Sequence, residues 1–119
     1  MAAPNVVNVS TILGKTVGLA VTTSAQAVVT NSAGSGKVLK VNALYVSNID
    51  GTNNAEVSVT FYNADNTTSY HIAKTVTVPA DSTIDVLTKA IYLEEGDELR
   101  IAANADSDIE AVASYEEIS

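Results

Sequence analysis

The chain has no cysteine and no tryptophan, and only one histidine, two prolines and one phenylalanine among its 119 residues. Without cysteine there is no disulfide framework, no thiolate nucleophile and no cysteine-containing zinc site. The lone histidine, His71, excludes a metal site built on two or three imidazoles and is the sole base open to a Ser-His-Asp triad. No serine stands in a Gly-x-Ser-x-Gly elbow to partner it. No apolar run approaches the roughly 20 residues that span a bilayer. Residues 1–5 lack the basic start of a secretion signal, so the expectation is a chain that stays where it is made and meets no membrane.

Positive charge is also scarce. Six Lys and Arg face 14 Asp and Glu, a net charge of -8, and such a chain disfavours the counterion exchange that drives binding to phosphate backbones. Nucleic acid is therefore not an expected partner. The charge is unevenly placed: residues 1–49 contain Lys15, Lys37 and Lys40 and no acid, whereas all 14 acids fall from Asp50 onward. This split suggests an inward, docking first part and an outward, solvated remainder.

What the chain does have is β-branched bulk. Val, Ile and Thr make up 37 of its 119 residues, types that suit a pleated, half-buried surface. Alternation is cleanest where Val57, Val59 and Phe61 interleave with Glu56, Ser58, Thr60 and Tyr62, which points one apolar face inward. The next run places Tyr70, Ile72, Val76 and Val78 on one face and His71, Ala73, Thr75 and Thr77 on the other, with Lys74 interrupting the apolar side as at a sheet edge. Further strands are expected over 5–10, 16–22, 26–31, 37–48, 83–88, 90–93, 97–103 and 109–116, separated by turn-forming clusters. Eight to ten short strands in 12.3 kDa predict one all-β domain, an antiparallel β-sandwich of jelly-roll-like form with an N-terminal arm or strand. Residues 1–36, whose sole charge is Lys15, form an apolar strand or arm segment packed with the domain or a neighbour. Residues 37–119 form the body.

Chemistry-bearing patterns dissolve on inspection. Gly34-Ser35-Gly36-Lys37-Val38 lacks the first glycine and the final Ser or Thr of a phosphate loop and reads as a turn. The run Asn104 to Glu110 begins like a calcium loop, but Ile109 replaces the glycine that the sharp bend requires. Glu94, Glu95, Asp97 and Glu98 around Gly96 read as a solvated hairpin turn. Of the five tyrosines, Tyr62 is the best candidate for an exposed ring that could stack on a sugar. No cofactor and no metal is expected, and no enzymatic activity.

Residues 1–16 and the segments 78–87 and 91–101, the last containing Tyr92-Leu93-Glu94-Glu95-Gly96-Asp97-Glu98-Leu99, resemble small virion structural proteins of marine tailed phages, cyanophages in particular. The resemblance covers most of the chain. It implies a non-enzymatic role in the particle in many copies, with head decoration as the first location and the neck, tail or fibres next. Its partners would be copies of itself and a major capsid or tail protein, its place the virion after synthesis in the host cytoplasm. A many-copy accessory must be held by extended, largely apolar and backbone contacts, which strand addition from an arm supplies. Pro4, Val6, Val7, Val9 and Ile12 are the candidate assembly residues. A fibre-tip module binding host-surface glycans is the alternative.

Overall fold

A computed structural model describes residues 10–119. These form nine strands and no helix: β1 (Ile12–Ala20), β2 (Gln26–Thr30), β3 (Val38–Asn48), β4 (Ala55–Asn63), β5 (Thr68–Val78), β6 (Thr83–Asp85), β7 (Ile91–Leu93), β8 (Glu98–Ala103) and β9 (Ile109–Ile118). One sheet runs β1-β9-β3-β6, with β7 also on β3, and the other runs β2-β8-β4-β5. All pairs are antiparallel. The chain is thus an antiparallel β-sandwich, as its composition implies.

The pairing is nested. β4 pairs with β5, β3 with β6 and β7, β2 with β8, and β1 with β9, so the chain behaves as one long hairpin whose tip is the turn after β4. Rolling that hairpin up brings β9 against β3 and β8 against β4. Ser10 and Thr11 therefore meet the C-terminus: both donate to the carbonyl of Ser119, and Ser119 donates back to Thr11.

The core lies between the sheets and keeps the period of two. Val57 and Val59 on β4, Leu99 and Ile101 on β8, Leu44 and Val46 on β3, and Ile109, Ala111 and Ala113 on β9 are almost wholly buried. Burying each large aliphatic side chain contributes roughly 1.5–3 kcal/mol before entropy is counted. Register shifts interrupt the alternation. On β3, Asn42 is extra between Val41 and Ala43, which lets Leu39 and Val41 point inward before it and Leu44 and Val46 after it.

β5 departs from the alternation expected of it. Two shifts occur along its pairing with β4, and the partners Val57↔Val76, Val59↔Ala73 and Phe61↔Tyr70 show that Tyr70, Ala73, Val76 and Val78 share the inner face. Each extra residue moves the later residues of the strand to the opposite face. Ile72 is therefore displaced from the face assigned to it by simple alternation, and Lys74 does not interrupt that face. The edge position signalled by Lys74 is real, since β5 ends its sheet.

Residues 1–36 are not a separable arm over their described part. β1 and β2 belong to different sheets of the same sandwich, and β1 starts earlier than the expected strand at 16. The charge split does not survive folding either. β9, which carries Glu110, Glu116 and Glu117, lies between β1 and β3, so the lysines of the first part face acids of the last. Lys15 and Lys37 both reach Glu117, at 3.4 and 3.3 Å, and Lys40 stands opposite Glu116.

Candidate assembly surface

Two buried asparagines fix the loops at the two ends of the sandwich. At the end where Ser10 meets Ser119, the Asn31 side-chain amide donates to the carbonyls of Lys37 and Leu93, each at 2.9 Å, and its oxygen accepts from the Ser35 hydroxyl at 2.6 Å. At the other end, the Asn48 amide donates to Asn53 and Val78, each at 2.9 Å, while its oxygen accepts from the Asp50 N–H. Each side chain supplies the partners that irregular backbone needs when it is taken out of water.

The acidic turn after β7 is only partly the solvated hairpin expected. Gly96 takes a positive φ of 90°, as such a turn requires, but Glu95 and Asp97 are buried. Asp97 accepts from the N–H groups of Ala64 and Glu94, each at 3.0 Å, and Glu95 accepts from Gly36 at 2.9 Å. These carboxylates tie three loops together and are structural. Gly34-Ser35-Gly36 is a turn, with both glycines at positive φ. Among the described residues no group of three or more metal-ligating side chains converges, and Asp106 is engaged by the Thr23 N–H at 3.0 Å.

The surface that stands out is apolar and lies along the edges left open among the described residues. On the β1 flank, Ile12 is 57% and Leu13 49% exposed, and they sit opposite Ile118 and Glu117. Of the candidate assembly residues, Ile12 is thus at the surface; Pro4, Val6, Val7 and Val9 lie outside the described residues. On the opposite flank, Tyr70, Ile72 and Val76 of β5 and Tyr92 of β7 are also exposed. Phe61, Tyr70, His71, Ile72, Ile91 and Tyr92 line a groove of about 290 Å³ in the seam between the two sheets. Among the described residues no strand covers the seam on this side, so inward-facing rings near the edge stay wet. A shallower depression of about 280 Å³ on the β1–β9 surface is lined by Gly18, Leu19, Ala20, Glu110, Ala111 and Val112.

Tyr62 is not the exposed ring that alternation suggests. Arg100, from the neighbouring β8, places its guanidinium 4.1 Å from the Tyr62 ring centre and is itself held by Glu98 at 2.7 Å. The exposed rings are Tyr45, Tyr70 and Tyr92, and sequence reasoning passed over them because each lies in a strand where a core role was the simpler assignment. His71 is exposed on β5, at the rim of the groove.

Beside β1, Glu117 is paired with both Lys15 and Lys37. Partial burial pulls the Glu117 carboxyl upward, but the hydrogen bond from Lys37 and the attraction of Lys15 and Lys37 outweigh it and hold the group below its ordinary value of 4.5. A carboxyl lowered by folding contributes stability that is present above its unfolded-state value and is lost as pH falls through the folded-state value. An NMR titration should therefore place Glu117 below 4.5. Replacing both Lys15 and Lys37 with alanine should move it upward; an unmoved midpoint would refute the lysine contribution.

No protein-family model matches the chain, and no curated protein matches it. Among solved structures, it is similar to a chain described under "Bacillus endospore appendages form a novel family of disulfide-linked pili", with a TM-score of 0.52 and 16% identity over 92% of this chain and 88% of that one. At that identity the likeness is one of fold, and it supports the two-sheet β-sandwich.

Proposed function

We propose that this chain is a non-enzymatic structural subunit of a phage virion, present in many copies, with head decoration as its first location and the neck, tail or fibres next. The observation that carries the reading is the pair of apolar edges, open among the described residues, on opposite flanks: Ile12 and Leu13 on one, Tyr70, Ile72 and Tyr92 on the other. An unpaired edge bearing apolar side chains is a template for another chain, and two different edges on one subunit favour head-to-tail contacts that repeat. The nested strand orders β1-β9-β3-β6 and β2-β8-β4-β5 support a jelly-roll-like reading, an arrangement also used by capsid domains. The similar solved structure is described under disulfide-linked pili; a chain without cysteine cannot link its copies in that way. Proteomics of purified particles tests the proposal. The chain should be present in many copies per particle, and finding it in infected-cell lysate but never in particles would sink the idea.

A glycan-binding module at a fibre tip is the second reading, favoured only by the exposed rings of Tyr70 and Tyr92 at one groove. A glycan-array signal abolished by Tyr92→Ala would support it over the first.

A further inference from the structure

The seam between β5 and β7 is on the flank opposite β1, and its β5 side is not uniformly available. Thr68 to His71 pair regularly with Asn63 to Thr60, leaving their outward backbone groups in a straight row. Beyond them the register shifts, Thr75 adopts a positive φ of 48° and Lys74 stands exposed. Bulges and an edge lysine are the devices that block strand addition, so the open part of the edge is Thr68–His71, whose Tyr70 and His71 line the groove.

We propose that this seam receives residues 1–9 of a second copy, added as a short strand along Thr68–His71, with Val7 and Val9, which share one face of such a strand, covering Phe61, Tyr70 and Ile91. The contact rests on the assembly role proposed for the chain and gives that role a specific site. Residues 1–9 contain no charged side chain, and the groove is lined by no Asp, Glu, Lys or Arg. Pro4 lacks a backbone donor and suits the start of an added strand, leaving Asn5 to Val9 to pair.

The length of the segment argues for a second copy. Nine extended residues reach about 30 Å. Ser10 is tied to Ser119 beside β1, and β9, β3 and β7 stand between that edge and the seam. Crossing three strand spacings and the gap between sheets takes roughly 14 Å and 10 Å. A chain returning to its own seam would use at least Asn5 to Val9 on the crossing and bring none of its valines to the groove.

Photo-crosslinking on the full chain tests this. Val7 is replaced by p-benzoylphenylalanine, and isotopically heavy and light populations are mixed so that crosslinks between copies can be told from those within one. Inter-copy crosslinks are expected on 61–72 or 91–92, and Ile72→Glu, at an exposed position, should reduce them by about fivefold or more, the effect of roughly 1 kcal/mol. Crosslinks confined to one copy, inter-copy crosslinks on the β1 flank or the outer β1–β9 surface, or insensitivity to Ile72→Glu would overturn the assignment. If the chain still sediments as assemblies while its crosslinks fall elsewhere, the seam contact fails and the assembly reading stands. If it sediments as a monomer, both fail.

Discussion

Asn31→Ala is expected to destabilise the fold by about 3 kcal/mol, the sum expected when one buried and two part-buried polar groups lose a partner. The carbonyls of Lys37 and Leu93 and the hydroxyl of Ser35 all bond to this one side chain. Its own backbone holds the acidic turn, donating to Asp97 and accepting from Gly96, so loosening the side chain loosens that turn as well. For a domain of this size the melting temperature should fall by roughly 10 °C. Ser32→Ala, one residue away and exposed, should change little. Thermal unfolding of the two variants beside the parent chain checks this, and equal melting temperatures for Asn31→Ala and the parent would mean that the loop has another anchor.

Two truncations should behave oppositely. Removing residues 1–9 should leave a folded sandwich and abolish association, since the cut stops before Ser10 and Thr11, which bond to Ser119. Removing residues 1–20 should prevent stable folding, because it strips β1 from the whole length of β9 and removes Val17 and Leu19, which pack against the core. A loss of about 4 kcal/mol or more is a large part of the 5–15 kcal/mol available to a typical domain. Circular dichroism reads the folding and sedimentation reads the association. An unfolded product from the shorter cut would make residues 1–9 part of the intramolecular fold and end the assembly role given to them.

The strand content and the sandwich were legible because β4 carries its two faces openly: Val57, Val59 and Phe61 against Glu56, Ser58 and Thr60. The edge status of β5 was legible in Lys74. Its true inner face was not, since extra residues at two points reverse the alternation without leaving a mark in the apolar pattern. Local chemistry likewise located the turn at Gly96. The burial of Glu95 and Asp97 depends on Gly36 and Ala64, residues far off in the sequence that only the rolled topology brings near. Tyr62 lost its place as the exposed ring for a similar reason: Arg100 arrives from another strand. The division of charge at Asp50 dissolved because nesting sets the last strand between β1 and β3.

The proposed surface was partly legible. The apolar, uncharged start of the chain pointed to assembly through Pro4, Val6, Val7, Val9 and Ile12, and Ile12 stands at the surface. The groove of Phe61, Tyr70, His71, Ile72, Ile91 and Tyr92 was not, because it joins residues of two sheets across a seam that no other described strand covers. A lone histidine and two tyrosines in separate strands were the only signal.

Sedimentation velocity of the intact chain over a wide concentration range tests most directly whether this is a self-assembling subunit. Species that grow with concentration well beyond the 12.3 kDa protomer are expected; a single 12.3 kDa species at every concentration up to the millimolar range would contradict self-assembly.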